Sequence, residues 1–281
     1  MSVSKTSAPI LLVGAGRMGF ALLKAWLATS EARQQGEATQ PIMVLEPTPS
    51  PDLQQLAQAE AITLNPTPDM IKAARPSMVV FAVKPQMAQE IIPPLAPLLP
   101  SDCLSVSILA GIYLASLAAH LGPRKIIRAI PNLAATIGHS MTVLYASEQV
   151  EQVERAQVET LFAEIGKIAW LESEADIDIA TAISGSGPAY VFYLTESLAA
   201  AAVDLGLPKN LAMQLARATV IGAGHMLHQS TDNVSVLREN VTSPAGTTAA
   251  ALDVLMEEGG LPQLIRRAAK AAVARARELG S

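Results

Sequence analysis

Between Pro9 and Ala28 the chain runs from a short apolar stretch, Pro9 to Val13, through Gly14-Ala15-Gly16-Arg17-Met18-Gly19, into an Ala- and Leu-rich helical run, Phe20 to Ala28. A strand, a glycine turn and a helix in that order constrain the fold more than any other stretch. In a G-x-G-x-x-G turn the first glycine permits the tight bend, the second lets backbone approach a pyrophosphate, and the third lets helix pack close on strand. The same spacing also serves turns that hold no ligand, but the strand-to-helix context favours a dinucleotide site. Val13, Gly14, Ala15, Gly16, Arg17 and Met18 are its candidate contacts. The turn lacks the Lys-Ser/Thr ending of a nucleoside-triphosphate loop.

A polar insertion, Ser30 to Gln40, precedes a second strand, Ile42 to Glu46. An acid at the end of that strand accepts hydrogen bonds from adenosine ribose hydroxyls and repels a 2′-phosphate. Glu46 therefore leans the chemistry towards NADH over NADPH; its alternative role is to open a proline-rich turn. Helices near Asp52–Ala59 and Asp69–Ala74 then alternate with strands near Ile62–Leu64 and Met78–Val83, which predicts a parallel, doubly wound sheet. Lys84, after the latter strand, either meets cofactor phosphate or ribose or is simply solvated. Pro85 opens a helix to Leu98, interrupted or bent at Pro93-Pro94. Leu104–Leu109 and Ile126–Ile130 are further strands, with Ala110-Gly111 and Pro131-Asn132 at the ends that face a cofactor crevice. Met141–Tyr145, a helix Glu148–Ile165 and Lys167–Leu171 complete a domain over residues 1–172.

Residues 173–281 carry no further strand pattern. A helix enters at Ser184-Gly185-Ser186-Gly187-Pro188 and ends near Leu205-Gly206, another follows Leu207-Pro208 to His228, a shorter one spans Asn233 to Glu239, and two more follow Thr248 and Pro262. The expected architecture is an N-terminal Rossmann-like α/β domain followed by an all-helical domain. The helix Ala189 to Val203 is apolar nearly all round, with Glu196 inside it, so it must be buried all round. Some 110 residues offer too few helices for that, and a second subunit is expected to cover it.

In Val241-Thr242-Ser243-Pro244-Ala245-Gly246-Thr247-Thr248 a Pro-Gly-hydroxyl loop opens onto the helical run Ala249 to Glu258. The first amides of a helix and its dipole favour an anion, and Ser243, Thr247 and Thr248 add hydroxyl donors. The competing reading is an ordinary cap, in which Ser or Thr satisfies only its own helix.

A net charge of −5 with no basic run before Arg266-Arg267 argues against a nucleic-acid surface. A single cysteine, Cys103, excludes an intrachain disulfide framework and points to a reducing, cytoplasmic setting. The opening MSVSKTSAP lacks a signal-peptide core. Cys103 to Ala119 is uncharged but reads as strand then helix rather than a membrane span. His225 and His228 stand at a metal-compatible spacing with no third ligand nearby in sequence, so no metal is expected. Met18, Met87, Met213 and Met256 read as core gap-fillers.

The chain resembles the pyrroline-5-carboxylate reductases along nearly all its length. The resemblance rests on Ala182-Ile183-Ser184-Gly185-Ser186-Gly187-Pro188-Ala189-Tyr190, Gly206-Leu207-Pro208 and Glu239-Asn240 through Thr248. Gly14 to Gly19, Ala82-Val83-Lys84-Pro85 and Arg128-Ala129-Ile130-Pro131-Asn132 match in order as well. The resemblance implies hydride transfer from NADPH or NADH to a cyclic imino acid, a homodimer or higher homo-oligomer through the C-terminal helices, and cofactor contacts at Ala82, Val83, Lys84 and Pro85. It also implies that Ser243, Gly246 and Thr247 hold the substrate carboxylate while Thr248 hydrogen-bonds the ring nitrogen. Three departures stand out. Ala245 replaces the usual glycine, Glu46 and Asp69 replace small, polar or amide residues around the adenosine ribose, and Leu133-Ala134 replaces Thr-Pro. The alternatives are a related β-hydroxyacid dehydrogenase, disfavoured because Lys209 at a helix start is the only nearby lysine, and a non-catalytic nicotinamide-binding scaffold.

Overall fold

The computed structural model describes residues 7–33 and 40–280; residues 1–6 and most of the polar insertion lie outside them. β1 (Ile10–Val13) leads through the glycine turn to α1 (Arg17–Arg33). Then come β2 (Ile42–Leu45), α2 (Pro51–Gln58), β3 (Thr63–Leu64), α3 (Pro68–Ala74), β4 (Met78–Phe81), α4 (Ala88–Leu95), β5 (Leu104–Ser107), α5 (Leu114–Leu121), β6 (Ile126–Ile130), β7 (Ser140–Ala146), α6 (Gln152–Ala163) and β8 (Gly166–Trp170). Local chemistry sets several boundaries: the Ser50 and Thr67 hydroxyls cap α2 and α3, each with proline at the first helical position. The helix expected from Pro85 to Leu98 is three pieces, a 3₁₀ turn Pro85–Met87, α4, and a second 3₁₀ turn Ala96–Leu98. Pro93 and Pro94 fall inside α4, where their missing N–H groups break its ladder.

The sheet order is β3-β2-β1-β4-β5-β6-β7-β8. The chain winds outward from β1 and returns beside it with β4, which makes β1/β4 the point where strand order reverses. Side chains alternate between two apolar layers. Ile10 and Leu12 face α1, α2 and α6 through Leu22, Leu23, Trp26, Leu53, Val158 and Phe162. Leu11 and Val13 face α3, α4 and α5 through Ile71, Ile92, Leu117 and Leu121.

One feature departs from the all-parallel expectation: β7 pairs antiparallel with β6, and β8 pairs parallel with β7. Only Pro131–His139, with its 3₁₀ turn Leu133–Ile137, joins β6 to β7. A parallel return needs a crossover of about a dozen residues or more.

Beyond β8 all is helical: α7 (Asp176–Ala180), a π turn (Thr181–Gly185), α8 (Gly187–Asp204), α9 (Lys209–Gln229), α10 (Val234–Asn240), α11 (Thr247–Met256) and α12 (Leu261–Gly280). The chain divides into two compact units, Met1–Gly185 with Val273–Ser281, and Ser186–Ala272. α7 belongs to the first because Ile177 packs with Ile130 of β6 and Val143 of β7. Within the second, α8 and α9 bury only Ala199, Ala212 and Ala216. Phe192 and Tyr193 are 59% and 71% exposed, so one chain does not surround α8. Met87, Met213 and Met256 are also exposed, contrary to the gap-filler reading, while Met18 packs against the core. Met213 instead lines a groove between α8 and α9 with Phe192 and Arg217. No described helix is long and apolar enough to cross a membrane.

Candidate functional site

Gly14 lies at φ +93°, and a Cβ there would stand 2.8 Å from the Ala82 carbonyl oxygen and 2.9 Å from Val83 Cγ1. Glycine is needed for both conformation and space. Gly19 packs so closely under Gly14 O that a side chain would collide with it. Around Gly16 nothing lies within 4 Å of a Cβ position, so this segment of backbone is open to a ligand. The turn thus divides as its spacing implies: two glycines serve packing, and the middle one leaves room for a phosphate.

Glu46 does more than open the proline-rich turn. Its Oε2 accepts from Ala15 N at 2.9 Å and its Oε1 from Thr48 N at 3.1 Å, which ties the end of β2 to the glycine turn. Asn65 closes on the Glu46 backbone in both directions, at 2.8 and 2.9 Å. Ala82, Val83, exposed Lys84 and Pro85 follow β4, and Ala110-Gly111 follow β5, so these residues gather at the carboxyl edge of the sheet with the turn. Asp69 is exposed in the first turn of α3, which follows the edge strand β3. Asn132, at the end of β6, donates from Nδ2 to Ser184 O at 3.0 Å and so links that edge to the π turn. Nothing in the structure explains Leu133-Ala134.

In the helical unit, α11 begins at Thr247 with Gly246 as its N-cap, and no side chain caps it. Among the described residues the hydroxyls of Ser243, Thr247 and Thr248 make no hydrogen bond within the chain, unlike Thr242, which donates to Arg238 O at 2.7 Å. The ordinary-cap reading therefore fails here: the cap position is a glycine, and the helix-start amides and three hydroxyls remain available. Gly246 N donates to Ser243 O at 3.0 Å, and any side chain on Gly246 would collide with Ser243 Oγ.

Ala245 adopts φ +55°. The loop keeps the left-handed shape that a glycine would take freely, at a cost of about 1–2 kcal/mol for an L residue. Ala245→Gly regains that strain but loosens the unfolded chain by about 0.4–1 kcal/mol. The net expectation is a gain of about 0.5–1 kcal/mol, read as a raised thermal midpoint; an unchanged or lowered midpoint would show that the loop carries no such strain.

Among the described residues no three or more His, Cys, Asp or Glu come together as a group that could hold a metal ion, and His225 and His228 are exposed on α9. Cys103 is no nucleophile, since burial pushes its thiol to about 12.

Sequence reasoning missed one polar cluster, Tyr113, Arg128, Glu174 and Asp178. Arg128 is wholly buried, and its Nη1 donates to Glu174 Oε1 at 2.8 Å. The signal was a lone arginine within the apolar strand Ile126-Ile127-Arg128-Ala129-Ile130, because a charge in such a strand needs a buried partner.

A glycine turn at a strand-order reversal, an acid after β2, and a helical unit with an uncapped helix start define a two-domain nicotinamide-dinucleotide oxidoreductase. The pyrroline-5-carboxylate reductase of Pisum sativum is 39% identical over 216 residues, 77% of this chain and 78% of that one, and reductase 3 of Xenopus laevis is 34% identical over 98% and 97% of the two chains. The chain belongs to the pyrroline-5-carboxylate reductase family. Residues 174–279 match the family model for pyrroline-5-carboxylate reductase dimerisation, which supports homo-oligomerisation, and residues 9–111 match one described as NADP oxidoreductase, coenzyme F420-dependent. The solved reductase of Coxiella burnetii superposes with a TM-score of 0.86 at 30% identity, over 98% of this chain and 99% of that one. The Plasmodium falciparum enzyme, solved with NADP bound, gives 0.78 at 27% identity over 99% and 100%.

Proposed function

We propose that this chain reduces 1-pyrroline-5-carboxylate to L-proline with a reduced nicotinamide dinucleotide, the last step of proline biosynthesis. The observation that carries the reading is the glycine-capped start of α11, with three hydroxyls and its first amides uncommitted, in a chain of this family. Ser243 and Thr247 hold the substrate carboxylate through hydroxyl and backbone N–H donors, and Gly246, whose own N–H donates to Ser243 O, shapes the loop around it because any side chain there would collide with Ser243 Oγ. Thr248 hydrogen-bonds the ring nitrogen. The bound cofactor supplies the hydride that C5 accepts. A protonated imine is already electrophilic, so the residues bind and orient it rather than abstract a proton. Residues 1–172 carry the dinucleotide-binding function and 173–281 the helical part, of which α7, the π turn and the end of α12 pack into the first compact unit, in a cytoplasmic enzyme. Purified protein should oxidise NADH or NADPH when 1-pyrroline-5-carboxylate is added; no oxidation of either would overturn the reading.

In the cofactor domain, Val13 to Met18 receive the pyrophosphate and Ala82 to Pro85 with Ala110-Gly111 line the remainder. The openness around Gly16 is what fits a pyrophosphate there. Glu46 and Asp69 lie on the adenosine side, and the Glu46 charge favours NADH. Glu46→Ser also frees Ala15 N, which affects both cofactors alike, so the informative quantity is the ratio of kcat/KM values. That ratio should move towards NADPH, and an unaltered ratio would remove Glu46 from cofactor choice.

The exposed apolar side chains of α8 and α9 form the interface with a second copy. Analytical ultracentrifugation at micromolar protein should show a dimer or larger assembly; a stable monomer would refute this assignment.

A further inference from the structure

The four residues before α5, Ala110 to Tyr113, are held from several sides. Gly111 lies at φ +77°, and a Cβ there would meet the Leu279 backbone at 3.2 Å, so the end of α12 closes directly on it. Leu114 N, at the start of α5, donates to Glu174 Oε1 at 2.6 Å, and the same oxygen accepts from Arg128 Nη1 at 2.8 Å. The Arg128 guanidinium lies 5.1 Å from the centroid of the Tyr113 ring, and Tyr113 Oη donates to Asp178 Oδ2 at 3.0 Å. Burial, followed by the Asp178 hydrogen bond, raises the Tyr113 hydroxyl above its ordinary pKa and keeps it a donor.

Arg128 Nε and Nη2 have no hydrogen-bond partner among the described residues, which leaves Glu174 as the acid that compensates a fully buried cation. A buried pair of this kind adds little net stability, because desolvation offsets most of the attraction. Its effect is geometric. A carboxylate oxygen bonded to both a buried guanidinium and the first amide of α5 is fixed in position, and it fixes the short loop before that amide.

We propose that Glu174, backed by Arg128 and Tyr113, is a positioning residue for the nicotinamide half of the cofactor. This rests on the dinucleotide reading above. With Glu46 and the glycine turn serving the adenosine and pyrophosphate at β2 and β1, the other half of an extended dinucleotide runs past β4 towards the end of β5, where Ala110 and Gly111 stand.

The test compares Glu174→Ala, Glu174→Gln and Tyr113→Phe in the full chain. Calorimetry measures affinity for the preferred reduced cofactor and for the matching ADP-ribose, which lacks nicotinamide. Glu174→Ala should weaken the cofactor by about tenfold, some 1.4 kcal/mol, and leave ADP-ribose within about twofold. It should also lower kcat on the order of 10²-fold with a smaller change in KM for the imino acid, as loop misplacement does. Glu174→Gln keeps an oxygen for Leu114 N and should recover most of the loss. Tyr113→Phe should show the same cofactor-selective weakening in milder form, and it carries the test with Glu174→Gln if Glu174→Ala does not fold. Equal weakening of cofactor and ADP-ribose, or no weakening of either, would overturn the proposal. If wild type binds cofactor but reduces no pyrroline-5-carboxylate, the functional reading fails while the affinity comparison still decides this one. If wild type binds neither cofactor, both fall.

Discussion

Thr248→Val is expected to lower kcat by between about 10- and 150-fold and to leave affinity for the reduced cofactor unchanged. A hydrogen bond to a charged group contributes about 1.5–3 kcal/mol, and each 1.36 kcal/mol of barrier is about tenfold in rate. Valine keeps the shape of threonine and removes only the hydroxyl, so the loss reports that group. The fold does not need it: α11 is capped by Gly246, and Thr248 sits half-buried in the first turn with no hydroxyl partner among the described residues. Stability should therefore stay within about 0.5 kcal/mol. Steady-state kinetics beside a thermal melt make the measurement, and an unchanged kcat would remove Thr248 from the reaction.

The second large effect belongs to the glycine turn and comes as a contrasting pair. Gly14→Ala places a methyl group 2.8 Å from Ala82 O at φ +93°, so either the turn or the end of β4 must shift. The expected cost is at least about 2 kcal/mol of stability, together with a loss of cofactor affinity of about tenfold or more. Gly16→Ala has nothing within 4 Å of its new methyl group, so the melt should move by no more than about 0.5 kcal/mol. Cofactor affinity should nonetheless fall about as far as for Gly14→Ala, because the methyl group occupies the space a pyrophosphate needs. Calorimetry and melts on both variants separate the roles; a Gly16→Ala protein with wild-type affinity would mean that no phosphate approaches this backbone.

The strands and the glycine turn were legible because their signals are local. Apolar runs of four or five residues, a run of glycines and a following helix all lie within a few turns of chain. The reversed direction of β7 was not legible from its own residues, since it follows from the length of the Pro131–His139 link rather than from strand composition. α7 and the π turn were missed because five-residue helices leave too short a period to detect. The buried cluster around Arg128 was hidden for a different reason: Tyr113, Glu174 and Asp178 are 15, 46 and 50 positions away from it, and only folding makes them its neighbours. For the α11 loop the sequence offered two readings, and backbone position separates them, because the cap falls on Gly246 and not on a hydroxyl residue. Ala245 is the instructive case, an alanine that keeps a left-handed backbone in the place of the usual glycine.

The sparse burial along α8 and α9 has a consequence for how this protein is handled as a material. With the second copy proposed above covering α8 and α9, which bury three alanines within their own chain, the melting point would be a property of concentration as well as of sequence. A substitution on Phe192 or Tyr193 would then resemble a folding defect in a dilute assay and fade in a concentrated one.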